Sequence, residues 1–154
     1  MKKKLYFICG ILLVVFIVIQ LIPINRPTNS SVQLTENIQI QNAGNEVMAI
    51  LKNSCFDCHS NQTKYRWYAY VAPVSWLIAR DVSTGREELN FSEWSTYNKR
   101  KLVRKLGDIK EQIVKDEMPM RIYTLIHPDT KLTDSQKLLI TDWTDQETKK
   151  IMGN

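Results

Sequence analysis

Cys55-Phe56-Asp57-Cys58-His59 is the run in this chain whose residue types and spacing do chemistry together. Two thiols separated by two residues span the two vinyl groups of a porphyrin and add across them as thioethers. The histidine directly after the second thiol is then held beneath the iron as an axial ligand. With three cysteines and two histidines in 154 residues, the chance expectation for such a run is on the order of 0.001 matches. Two other chemistries use the same residue types. A thioredoxin-like dithiol needs a strand–motif–helix setting, and no strand-rich pattern flanks the motif. A closed zinc site needs four ligands. With Cys9 inside an apolar run, only His59 and His127 remain as further donors.

A second axial ligand decides between electron transfer and ligand chemistry. Met118 stands before Pro119 at the end of an apolar stripe, where it can present a thioether to the iron. His/Met ligation raises the reduction potential relative to two nitrogen ligands. Met120 and His127 are rivals for the same position. A metal-bound histidine usually donates its other ring nitrogen to a carbonyl or carboxylate, and the segment around Pro73 is the expected acceptor. Arg66, Trp67, Tyr68, Trp76 and Arg80 are candidate donors to haem propionates, or simply walls of the pocket.

These residues need a scaffold. The stripe Val47, Ile50, Leu51 predicts a helix from Gly44 to Ser54 that delivers the chain into the motif. An aromatic loop follows from Ser60 to Ala72. Val74, Leu77, Ile78 and Val82 predict a helix opened by Pro73, with Gly85 ending or bending it. Phe91 to Ser95 reads as a turn. Leu102, Val103, Leu106, Ile109 and Ile113 predict a helix within 96–117, broken at Pro119. Residues 121–132 read as a loop. Thr133-Asp134-Ser135-Gln136 matches a capping box opening a last helix with Leu139, Ile140 and Trp143 on one face. The predicted fold is all-α: a small cytochrome c-like helical domain wrapped around a covalent haem, with an N-terminal transmembrane helix.

Residues 1–24 carry the anchor. Lys2, Lys3 and Lys4 precede an apolar run from Leu5 to Ile24 that Gln20 alone interrupts. At about 1.5 Å per residue it covers a bilayer core of about 30 Å. The lysines place the N-terminus in the cytoplasm and the rest outside, in the periplasm of a Gram-negative envelope. A cleaved signal is the competing reading, but no Ala-x-Ala site follows. Residues 25–43 read as a flexible tether and 44–152 as the haem-binding domain. Without the three lysines, 18 basic and 16 acidic residues remain, which is no nucleic-acid signature. The basic cluster Lys99, Arg100, Lys101, Arg104, Lys105 reads as a solvated face, with docking on an acidic redox partner or anionic lipid as the sharper alternative.

From about Asn53 to Met152 the chain resembles the small haem-binding domain proteins common in Bacteroidetes-type bacteria, which look like short mono-haem cytochromes c. The resembling stretches are Cys55 to Asn61, Ala72-Pro73-Val74-Ser75-Trp76, Leu89 to Trp94, Glu117-Met118-Pro119 and Tyr123 to Pro128. The resemblance implies covalent haem c on Cys55 and Cys58 with His59 as axial ligand, and leaves the sixth ligand open. The expected protein is a membrane-anchored electron carrier that serves unidentified redox proteins, rather than an enzyme. A haem sensor or peroxidase-like enzyme with an open sixth position, and His127 as a distal acid–base group, is the alternative.

Overall fold

A computed structural model describes residues 2–29, 40 and 43–153 of the chain. Among them every regular element is helical. The expected all-α class is therefore observed. Helix α1 (Lys2–Gln20) is apolar from Leu5 to Ile19 and has no buried residue, and it is long enough to cross a membrane. Helix α2 (Asn45–Ser54) runs into α3 (Phe56–His59), a single turn built by the cysteine–histidine motif itself. Helix α4 (Val74–Glu88) follows a short 3₁₀ turn at Trp67–Tyr70. Helix α5 (Lys99–Val114) packs against the last helix, α7 (Asp134–Gly153), and α2 also packs on α7.

The core lies where these helices meet. Leu51, Phe56, Phe91, Trp94, Leu106, Ile109, Ile140 and Trp143 are buried in one cluster. Four aromatics run through it: Phe56 stacks on Phe91 at 5.2 Å, Phe91 on Trp94 at 5.8 Å, and Trp94 meets Trp143 at 6.2 Å. Aromatic pairs at such separations add to what burial alone supplies.

The helix starts follow local chemistry. Asn98 caps α5 by accepting from Lys101 N–H at 2.9 Å. Thr133 and Gln136 form the expected capping box: Thr133 N–H donates to Gln136 Oε1 at 2.9 Å, and Gln136 N–H to Thr133 Oγ1 at 3.3 Å. Two expectations need correction. The loop foreseen over 121–132 contains a helix, α6 (Arg121–Ile126), and a 3₁₀ turn at Pro128–Thr130. Six residues are too few for a hydrophobic period to declare itself. Gly85 does not end α4, which continues to Glu88. Its absent side chain serves packing instead, since a Cβ there would lie 2.8 Å from Cys58 O.

The stretch after α1 is placed against the domain. Residues 21–29 lack regular structure beyond a turn, yet they are fastened to the domain. Arg26 donates to Ala69 O at 3.1 Å, Tyr65 OH donates to Pro27 O at 2.6 Å, and Thr63 N–H donates to Asn29 Oδ1 at 3.0 Å. Arg86 joins this stretch to the segment after the motif. It donates to Thr28 O at 2.8 Å and Asn29 Oδ1 at 3.0 Å, and to Ser60 O at 2.9 Å and Thr63 Oγ1 at 3.0 Å. Most of the remaining tether, 30–39 and 41–42, lies outside the described residues.

Candidate functional site

Two adjoining cavities, of about 400 and about 300 Å³, open beside the motif. Both are bounded by Cys55, His59, Met118 and Pro119. The larger reaches Leu51, Ile109, Ile113 and Ile140, and the smaller reaches Cys58, Gly85 and Met120. Their combined size falls in the range of cofactor clefts, and their walls are mostly apolar, as such clefts are.

His59 is held from behind. Its Nδ1 lies 2.8 Å from Gly85 O and 3.1 Å from Leu89 O. Carbonyl oxygens only accept, so Nδ1 carries the proton and Nε2 keeps the lone pair. The acceptors belong to the last turn of α4 and the residue after it; Gly85 O also accepts from Leu89 N–H at 2.9 Å, so this carbonyl serves both the helix end and His59. The two carbonyls supply the outer contact that fixes the tautomer and ring plane of a metal-binding imidazole. The acceptor expected near Pro73 is therefore found one helix length later. Burial pushes the imidazole below its ordinary pKa, against the two carbonyl bonds. A neutral ring is the form that binds a metal.

This geometry explains Gly85. Its backbone must come close enough to give its carbonyl to His59, and any side chain would strike Cys58 first. A turn at Phe91–Thr96 clamps the far side of the motif. Asn61 N–H donates to Ser92 Oγ at 2.9 Å, and Asn90 Nδ2 donates to Asn61 Oδ1 at 2.9 Å. Asn90 itself is gripped by Tyr97, whose hydroxyl accepts from Asn90 N–H at 3.0 Å and donates to Asn90 O at 3.2 Å.

The thiols do not have the environment of exchange chemistry. Burial, then the neighbouring Cys58, pushes Cys55 up to about 12. Burial, then Asp57 and Asp81, pushes Cys58 up to about 11. Redox-active dithiols have lowered values, so the structure argues against that reading of the motif.

Met118 reaches the cleft because α5 ends in a defined way. Asp116 adopts a positive φ of 56° just past the helix, a conformation that aspartate tolerates better than most residues. Glu117 N–H and Met118 N–H both donate to Gln112 O, at 3.0 and 3.3 Å. Lys137 pairs with Asp116 at 2.6 Å. Met120 bounds only the smaller of the two cavities.

His127 lies elsewhere. It is buried in the wall of a third cavity, of about 240 Å³, together with Tyr68, Tyr123 and Ile126. Its Nε2 is hydrogen-bonded to Tyr68 OH, and its ring lies 4.7 Å from that of Tyr123. It bounds neither cavity that contains His59. Of the candidate propionate donors, Arg80 bounds the smaller cleft cavity, Arg66 and Tyr68 face the third cavity, and Trp67 is exposed. Trp76 bounds none of the three.

Sequence reasoning missed Lys105. Assigned to a solvated basic face, it is only 4% exposed and bounds the larger cavity. Its ammonium stands 3.6 Å from Asp108 and 3.8 Å from Glu88, both well exposed. A buried cation with such long pairs is well placed to meet a carboxylate entering the cleft. The signal was present in the spacing. Lys105 is three residues after Leu102 and four before Ile109, on the same stripe.

The sequence profile of the haem-binding domain matches residues 14–146. The chain belongs to the haem-binding domain family. The match begins inside α1 and runs into α7, so it takes in every residue of the cleft. No curated protein and no solved structure matches the chain. The cleft fits the group: apolar walls, an oriented neutral imidazole, two cysteines on one turn and a buried ammonium at the edge.

Proposed function

We propose that the chain is a membrane-anchored mono-haem c-type cytochrome that passes one electron at a time. Cys55 and Cys58 would hold the haem as thioethers, with His59 and Met118 as the axial ligands. Haem iron supplies the one-electron couple. The observation that carries the reading is the placement of His59: its Nδ1 is anchored on two backbone carbonyls in a wall that it shares with Cys55 and Met118. Two strong axial ligands on a rigid frame leave little to rearrange when the charge on the iron changes. With His127 outside the cleft, the open-site alternative loses its distal acid–base group. Helix α1 would cross the inner membrane once, with Lys2, Lys3 and Lys4 inside and the domain outside. The remaining cations of the cluster at the start of α5, Lys99, Arg100, Lys101 and Arg104, give an acidic redox protein a place to dock.

The test is the absorption spectrum of the full chain, made with c-type haem maturation and held in detergent. The expected result is haem that denaturation does not release and a low-spin ferric spectrum with the weak far-red sulfur-to-iron band. Met118→Ala abolishes that band. A low-spin spectrum that keeps the band in Met118→Ala overturns the ligand assignment. A high-spin protein whose ferrous form takes up carbon monoxide readily overturns the electron-carrier reading.

A further inference from the structure

Large apolar side chains are unusually exposed on one side of the domain. Leu125 is 78% and Trp67 77% exposed, and Tyr70, Ile122, Ile126 and Leu77 are also exposed. Ile122, Leu125 and Ile126 stand at i, i+3 and i+4, on one face of α6. Leu77, Ile122 and Ile126 line the third cavity together, and the ring of Trp67 packs edge-on against Tyr68 in its wall. Scattered apolar residues on a surface need no explanation, but a contiguous set marks an interaction surface.

What covers this face is indicated by where α1 ends. Gln20, the last residue of α1, is clasped to the segment carrying Trp67 and Tyr70. Ala72 N–H donates to Gln20 Oε1 at 2.9 Å, and Gln20 Nε2 donates to Ala72 O at 3.2 Å. Six residues on, Arg26 donates to Ala69 O, and its guanidinium sits 4.0 Å over the Tyr70 ring. The apolar helix therefore leaves the hydrocarbon at the edge of the apolar face. Tryptophan and tyrosine at that level belong to the belt where amphipathic rings meet headgroups. Arg66 and Arg121, exposed at the margins of the face, carry the charge that anionic headgroups attract.

We propose that this face lies on the outer interface of the membrane that α1 crosses, with Leu125, Ile122, Ile126 and Trp67 inserted among the headgroups. The domain is thus held flat against the bilayer, and the haem cleft keeps a fixed height above it. The proposal rests on α1 being a membrane anchor.

The experiment uses the full chain in the membranes of the expressing cell, with photoreactive p-benzoylphenylalanine at one position per sample: 125, 67, 12 or 149. After illumination, mass spectrometry reads the adduct. Position 12 lies in α1, and position 149 is exposed on α7. The expected result is phospholipid adducts at 12, 125 and 67, and none at 149. Lipid adducts at 12 but none at 125 and 67 overturn the apposed face and leave the anchor standing. Adducts at 125 that are protein alone, whether a second copy or another chain, also overturn it. No lipid adduct at 12 overturns the anchor reading and this proposal with it.

Discussion

Gly85 and Gly107 offer one chemical change with opposite expected signs. Both lie inside helices, α4 and α5. Replacing an interior helical glycine with alanine gains about 1 kcal/mol, from helix propensity and a less flexible unfolded chain. At Gly107 a Cβ meets nothing within 4 Å, so Gly107→Ala gains up to about that amount. At Gly85 the Cβ would lie 2.8 Å from Cys58 O, 3.1 Å from Cys58 Cβ and 3.2 Å from Cys58 C. Ordinary C···O contacts are about 3.3–3.6 Å, and the atoms in the way are mostly backbone of the motif turn. Overpacking of this kind costs about 1–3 kcal/mol. Separating α4 from the motif also stretches the Gly85 O bond to His59, about 1 kcal/mol net. Gly85→Ala should therefore be about 1–3 kcal/mol destabilising, after its propensity gain. Near-ultraviolet circular dichroism of the core aromatics, followed through thermal unfolding of the full chain in detergent, reads the difference. Each kcal/mol moves the midpoint by roughly 4–8 °C in a domain of this size. Equal stabilisation by both substitutions would refute the claim that Gly85 exists to bring a carbonyl to His59.

Tyr97→Phe leaves the buried Asn90 N–H without its acceptor and should cost about 1–3 kcal/mol, read as a lowered midpoint in the same experiment; an unchanged midpoint would show that the Phe91–Thr96 clamp is not needed for stability. Burial raises the pKa values of Tyr65, Tyr68, Tyr97 and Tyr123. A raised folded value keeps its stability below the unfolded value of about 10 and loses it above, where the unfolded chain alone ionises. Stability should be level with respect to these groups near neutrality and fall above about pH 10, and Tyr123→Phe should flatten that fall; a pH series of denaturant midpoints reads the slope. Lys105→Met removes a buried cation whose partners are exposed, so the haem-free chain should keep or gain stability, while the loaded protein should show a lower reduction potential in a redox titration. An unchanged potential would place Lys105 away from the propionates.

The haem-binding character was legible because two residue types and their spacing coincide in one run, Cys55 to His59, inside the stretch that matches the haem-binding domain. The long helices were legible because each has a stripe to bury: Leu102 to Ile113 in α5, and Leu139, Ile140 and Trp143 in α7. Helix α6 was not, since it buries none of its residues and so has no apolar period facing a core. Its apolar residues face outward, which a reading that equates apolar with buried misses. The acceptor for His59 was misplaced because backbone carbonyls carry no sequence label, and only the packing of α4 on the motif shows which ones come within reach. Lys105 was misread because charge outweighed its position on the stripe.

The motif turn also separates two environments that the sequence runs together. On one side the mostly apolar cleft holds Cys55, His59 and Met118. On the other, Asp57 accepts from Tyr123 OH at 2.8 Å, and Tyr123 lies against His127, which is bonded to Tyr68. Asp57 and Cys58 of the motif border both the smaller cleft cavity and the third cavity, as do Arg80, Asp81, Met120 and Tyr123. The other histidine of the sequence, His127, is engaged in this network and bounds neither cavity that contains His59. The thioether of Met118, on a helix end fixed through Gln112 O and the Asp116–Lys137 pair, bounds both cleft cavities together with His59.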